Sequence, residues 1–295
     1  RDNADWVEIV TWNDYNEDSN LMPYRWQRGW GKQYYNRDEA VLIAGAYGSA
    51  YYKTGKWPAI TQDQIFYTYR SRSQKLTKAW DEVKKQWVDI LSKQYPYDQI
   101  HDDALDRVYI TTVLTRPATV IAKVGKDQEL DAPAGVSHYE LPMAPGVPTF
   151  KLERNGKVLL DVVGRREIIA KETEKNSPYG KHLSNRTWAG GAVVGPATRI
   201  EVKSAELLNG AAVADGGVRN LEKAGSGFKV ALTGLKTGTY NIRFRYRNAG
   251  SEDARLTLVA DGPKQAPKQF PYYIPMFFPP TGKESATASV LWSLY

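Results

Sequence analysis

Trp6-Val-Glu-Ile-Val-Thr-Trp-Asn-Asp-Tyr-Asn-Glu-Asp18 is the stretch on which the reading of this 295-residue chain turns. Val7 to Thr11 is a short β-branched run that stops at a cluster of aromatic, amide and carboxylate side chains. A buried parallel strand has this form when it delivers polar groups to a site at its C-terminal end. Asp14 and Glu17 stand three residues apart, so a turn or a first helical turn can aim both into one cleft. Two carboxylates beside Trp12 and Tyr15 suit acid/base chemistry on a sugar, whose apolar ring faces stack on aromatic rings. Asn13 is placed to hydrogen-bond sugar hydroxyls or to orient a carboxylate.

Working outward, Tyr24-Arg-Trp-Gln-Arg-Gly-Trp30 brings Trp26 and Trp30, candidates to line sugar subsites, with a packed loop as the alternative. Residues 38–52 predict a helix: Asp38 and Glu39 suit its positive end, and Val41, Ala44, Tyr47 and Tyr51 share one side. Gly55 and Pro58 stop it. Strand, loop and helix make the repeating unit of an α/β barrel, and one unit cannot close a barrel. Residues 1–60 are therefore expected to supply one such unit, short of a closed barrel.

Gln64 to Arg70 alternates and is rich in β-formers, which starts a sheet-based region over 61–165. Within it, Trp80, Val83, Trp87 and Leu91 form an apolar stripe that predicts an inserted packing helix over 77–94. From Asp106 the pattern is all β, with strands expected at 108–114, 119–124, 138–141, 149–154 and 158–163. Asn155-Gly156 between the last two is a strong hairpin signal. Short strands at this spacing indicate an antiparallel β-sandwich. Residues 166–198, polar and Gly-rich, read as a linker, and 199–295 as a second antiparallel sandwich with strands at 199–207, 227–232, 238–245 and 254–259. The fold class is thus α/β plus all-β.

The totals narrow the function. Net charge is +7, but Lys and Arg are scattered without a dense basic block, which argues against nucleic acid as a partner. With no cysteine there is neither disulfide nor thiolate metal site, and His101, His138 and His182 lack metal-ligand spacing. No apolar run approaches the roughly 20 residues of a membrane helix. The 19 Tyr and 9 Trp against 7 Phe favour wet, stacking surfaces, alongside ordinary use in β-rich cores.

These residues resemble a known family. Val7-Glu-Ile-Val-Thr-Trp-Asn-Asp-Tyr-Asn-Glu17 is similar to the signature (I/V)E-I-(I/V)-T-W-N-D-Y-G-E-S of the α-1,3-glucanases, or mutanases, of glycoside hydrolase family 71. Pro58-Ala-Ile-Thr-Gln-Asp-Gln-Ile-Phe-Tyr-Thr-Tyr-Arg70 resembles that family's P-I-T-x-D-x-I-x-Y-W-Y-R stretch. Asp106-Arg-Val-Tyr-Ile-Thr-Thr-Val-Leu-Thr-Arg-Pro-Ala-Thr-Val120 resembles its next strands, and Ala134-Gly-Val136 and Arg154-Asn-Gly-Lys-Val158 fit as well. The resemblance implies a (β/α)8 barrel followed by a β-sandwich, acting on α-1,3-glucan with inversion. The Asp and Glu of the signature, here Asp14 and Glu17, are its implied catalytic carboxylates, Glu17 as general acid and Asp14 as general base, with the reverse order open. Asn16 and Asp18 stand where the family has Gly and Ser. Asn tolerates the same left-handed backbone, and Asp18 adds a third carboxylate beside Glu17.

Residues 199–295 resemble carbohydrate-binding modules of families 35 and 6 through Ile200-Glu-Val-Lys-Ser-Ala-Glu-Leu207, Ser226-Gly-Phe228 and Gly238 to Gly250. Such modules often hold a structural Ca²⁺ through the second Glu of the opening strand, where this chain has Lys203, so no cofactor is expected and calcium is disfavoured. The implied protein is a secreted or wall-associated enzyme on α-glucan, completed by an N-terminal barrel segment or chain, with neither nucleic acid nor membrane as partner. The alternative is a non-catalytic polypeptide whose sandwiches hold polysaccharide.

Overall fold

The structure, a computed structural model, describes residues 25–26, 33–34, 40–71, 78–81, 83–89, 106–169, 187–236, 238–250, 254–260 and 272–294. It begins with two short strands, β1 (Arg25–Trp26) and β2 (Gln33–Tyr34), paired antiparallel. Helix α1 (Ala40–Thr54) follows. It carries no charge before Lys53, which sits in the last turn where the helix dipole favours a cation.

Strand β3 (Gln64–Arg70) comes next, and then β4 (Lys78–Asp81) and β5 (Gln86–Asp89). Here the structure corrects the helix predicted over 77–94. β4 and β5 pair as an antiparallel hairpin with Trp80 opposite Trp87, and Lys85 adopts φ 51° in the turn. Two tryptophans seven residues apart satisfy either a helical stripe or a cross-strand pair. Aromatic and β-branched residues favour the extended alternative.

Strands β6 (Arg107–Leu114), β7 (Ala118–Val124), β8 (Lys126–Ala132), β9 (Gly135–Pro142), β10 (Thr149–Arg154) and β11 (Lys157–Val163) follow in close succession. Asn155 and Gly156 join β10 to β11 with φ of 52° and 71°, both left-handed, as a tight hairpin turn requires. The presumed linker over 166–198 contains β12 (Thr187–Val193), which pairs with β3 along seven positions from Thr187↔Arg70 to Val193↔Gln64. Its glycines disguise it, and they also make it possible. A Cβ on Gly190 would collide with the Tyr67 ring, and one on Gly191 would lie 2.5 Å from the Ile65 carbonyl oxygen. Close approach to the β3 aromatics, rather than flexibility, is what this Gly-Gly pair provides.

Two four-stranded antiparallel sheets result, ordered β12-β3-β6-β9 and β11-β10-β7-β8. They share one core. Ile65, Tyr67, Tyr69, Ile110 and Trp188 from the first sheet meet Val120, Phe150, Leu152 and Val162 from the second. Tyr67 stacks on Phe150 with ring centroids 4.9 Å apart. The first sheet is also covered on its other side. Phe66, Val113 and Val193 form a second cluster with Ala40 of α1 and Leu291, against which Ile43, Ala44 and Tyr47 pack.

The remaining chain is again strands. β13 (Glu206–Leu208) pairs with β16 (Gly227–Lys229), and β14 (Ala212–Ala214) with β15 (Gly217–Arg219). The opening strand expected at 199–207 is instead a 3₁₀ turn at Val202–Ser204 leading into the short β13. β17 (Gly238–Tyr246) neighbours β20 (Ala286–Leu294), and β18 (Ala254–Ala260) pairs with β19 (Tyr272–Phe278). Phe244 and Tyr246 meet Phe278 edge-on, at 6.2 and 4.8 Å, while Arg243, Arg245 and Arg247 are exposed. By packing, residues 1–194 and 240–292 form one compact unit, and 195–239 with 293–295 a second. The region 199–295 is therefore divided between the two units.

Gly190→Ala is expected to lower unfolding free energy by about 1–3 kcal/mol, the usual range for overpacking a close contact. Urea unfolding of the two proteins measures it, and unchanged stability would show that β12 does not lie against Tyr67.

Candidate functional site

The two sheets are fastened at one corner by charge. Asp63, just before β3, is 6% exposed. Its Oδ1 accepts hydrogen bonds from the Thr115 backbone N–H and hydroxyl, both at 2.7 Å, and its Oδ2 pairs with Arg154 Nη1 at 2.6 Å. Arg154, at the end of β10, also donates from Nε to the Pro117 carbonyl (2.9 Å) and from Nη2 to the Arg116 carbonyl (2.7 Å). The Asp63 carbonyl in turn accepts from Val194 N–H. Through its carboxylate and its backbone carbonyl, Asp63 thus gathers the start of β3, the end of β12, the β6–β7 turn and the end of β10. Burial pushes the Asp63 pKa up, but the hydrogen bonds from Arg154 and Thr115 and the Arg154 charge outweigh it, and the net value lies below the ordinary 3.8.

The opposite end of β3 is fastened by Tyr69. Its hydroxyl donates to the Arg166 carbonyl (2.7 Å) and accepts from Arg166 N–H (2.9 Å). Gly164 makes room for that hydroxyl, since a Cβ there would lie 2.7 Å from it. Arg166 lies over the ring of Trp188, 5.8 Å from its centroid. Trp188 is 1% exposed and belongs to the core. On the other face of β3, Gln64 Nε2 donates to the Tyr47 hydroxyl at 3.0 Å and ties α1 to the sheet.

Of the residues expected to form the site, Trp12, Asn13, Asp14, Tyr15, Glu17, Asp18 and Trp30 lie outside the described residues. Trp26 is described for its backbone alone, opposite Gln33 in the β1–β2 pair. The described part supplies the helix that follows the signature in sequence and the sheet on which that helix rests. Sequence reasoning missed the Asp63–Arg154 corner, because its partners are 91 residues apart. It also missed an exposed stack of Tyr51 on Trp57, with centroids 4.6 Å apart.

No three His, Asp or Glu converge among the described residues. At the calcium position suggested by resemblance, Lys203 is exposed in the 3₁₀ turn, and Glu201 pairs with Arg199 at 2.7 Å. A cavity of about 10 Å³ lined by Gly164, Arg165, Tyr246, Met276 and Ala288 has room for one water. No described helix is long and apolar enough to cross a membrane.

Residues 1–183 match the profile of glycosyl hydrolase family 71, which takes in the signature stretch, α1 and every strand of the two four-stranded sheets except β12. This chain belongs to that family. It is 25% identical over 173 residues to a mutanase of Penicillium rubens, a match covering 56% of this chain and 36% of that protein. The chain therefore spans about a third of the length of this curated relative. No solved structure matches.

The Asp63 corner predicts a pH dependence. A carboxylate whose folded pKa is depressed stabilises the protein above its unfolded pKa, near 3.8, and loses that contribution as pH falls through the folded value. Asp63→Ala, which leaves the Arg154 charge buried without its partner, should cost about 3–5 kcal/mol at pH 7. It should cost progressively less below pH 3.8. Denaturant titrations across pH check this, and a pH-independent difference would contradict it.

Proposed function

We propose that this chain carries the catalytic carboxylates of a glycoside hydrolase that cleaves α-1,3-glucan with inversion. The observation that carries the proposal is the Trp12-Asn-Asp-Tyr-Asn-Glu17 stretch, lying inside a family 71 match that includes the helix and sheets downstream of it. The name of the Penicillium relative supports the substrate. Glu17 protonates the leaving glycosidic oxygen as the bond from that oxygen to the anomeric carbon breaks. Asp14 takes a proton from a water on the opposite face, whose oxygen bonds to the same carbon. Water is the only co-reactant, so the reaction needs no cofactor.

Glu17 must stay protonated until it acts, and a neighbouring carboxylate raises an acid's pKa, which is the role we give Asp18. Asn13 orients a carboxylate or a sugar hydroxyl, and Trp12, Tyr15, Trp26 and Trp30 stack on the rings flanking the cleaved bond. The (β/α)8 barrel is completed by an N-terminal segment or chain that precedes this region. Such an enzyme acts on a polymer outside the cell, so it is secreted or held in the wall. Supporting the reading, α1, the helix after this stretch in sequence, packs on the β3–β6–β12 face.

Two measurements test this on α-1,3-glucan, with the completing segment present. Asp14→Asn and Glu17→Gln should each lower kcat by about 10²–10⁴-fold, the usual worth of a positioned acid or base. Proton NMR of the first product should show the β-anomer before mutarotation, since inversion at an α-linkage leaves β. Undiminished hydrolysis by either variant would remove that residue from the mechanism, and an α-anomer appearing first would overturn inversion.

A further inference from the structure

We infer that Tyr51 and Trp57 form a second carbohydrate-binding platform, separate from the catalytic carboxylates, on which a pyranose ring of a neutral glucan chain stacks. The two rings are stacked, with centroids 4.6 Å apart and 26° between their planes, so each covers one face of the other and leaves its outer face for a ligand. Both remain open to solvent, Tyr51 at 42% and Trp57 at 40%, and Tyr52 beside them at 51%.

This surface is built rather than incidental. Gly55 N–H donates to the Tyr51 carbonyl at 2.7 Å, closing the helix and reversing the chain. Gly55 adopts φ 66° there, the left-handed conformation of a helix C-cap. The Thr54 hydroxyl donates to the Ala50 carbonyl at 2.7 Å and accepts from Lys56 N–H at 3.2 Å. Those bonds fix the short link that lays Trp57 back on Tyr51, so its ring is oriented before any ligand arrives. Preorganised rings bind without the entropy cost of ordering a loose side chain.

The ligand class follows from the chemistry. A rigid, flat, exposed aromatic face suits a flat ligand with an apolar face and a polar rim, which is what a pyranose ring offers. Lys53 and Lys56 are exposed on either side of Thr54 and supply donors for ring hydroxyls. Tyr47 lies one helical turn before Tyr51 and is held by Gln64, so the platform is continuous with the packed face of α1. The choice of glucan rests on the function proposed above, whereas the stacking geometry does not.

The test is retention of the full chain, with its completing segment present, on insoluble α-1,3-glucan particles, measured beside hydrolysis of a short soluble α-1,3-oligosaccharide and the melting temperature. Trp57→Ala should weaken retention about tenfold, the size of one lost stacking contact, and leave turnover of the short substrate unchanged. Trp57→Leu keeps apolar bulk over Tyr51 but removes the flat ring, and should weaken retention by a similar factor. Unchanged retention in either variant, or a wild-type chain that is not retained, would overturn the proposal. So would a fall in melting temperature that Trp57→Leu reverses together with retention, since that marks a merely structural cap. Retention that depends on Trp57 in a completed enzyme without hydrolysis would uphold the platform and set aside the catalytic assignment alone.

Discussion

Strand β3 is buried on both faces, and the pleat of that one strand organises everything packed around it. Ile65, Tyr67 and Tyr69 point into the core between the two four-stranded sheets, while Phe66, between Ile65 and Tyr67, points the other way into the cluster with α1 and Leu291. Side chains alternate along a strand, so a slip of one residue would exchange these two sets. The register cannot move, because Asp63 and Tyr69 secure the two ends by hydrogen bonds to distant segments. Helix α1 thereby gains a fixed platform, and α1 is the first described helix after the Asp14–Glu17 segment in sequence.

The aromatic surplus finds its explanation in the same strand. Tyr67 and Tyr69 fill a core between sheets, where bulk is wanted and a hydroxyl must be satisfied. Tyr69 meets that need through both backbone groups of Arg166. Room for such rings comes from Gly164 and Gly190, which hold space that any side chain would occupy. Other aromatics, at Tyr51, Tyr52 and Trp57, stay at the surface. The one composition therefore serves two ends, a dry core and a wet stacking face.

Much of this was legible from the residues, and the misses have physical causes. The β10–β11 hairpin could be read because Asn155-Gly156 suits a turn that needs two positive φ values. Strand β8, Lys126-Asp-Gln-Glu-Leu-Asp-Ala132, could not, because it is a charged edge strand whose pairing, not its side chains, makes it a strand. Strand β12 passed for linker because its glycines are there to meet Tyr67 and Ile65, a contact across more than a hundred residues. The 77–94 helix failed because Trp80 and Trp87 fit two periods equally well. For function, the family was legible in short motifs at 7–17, 58–70 and 106–120, each contiguous in sequence. Asp63 and Arg154 are set by packing and are far apart.

The central claim is that Asp14 and Glu17, proposed as the catalytic carboxylates, act as a pair across one glycosidic bond. A crystal structure of the completed enzyme with an α-1,3-linked oligosaccharide tests it most directly. The account predicts the two carboxyl groups on opposite sides of the scissile bond, roughly 6.5–9.5 Å apart, leaving room for a water. A separation of about 5–5.5 Å, or carboxylates turned away from the sugar, would contradict it.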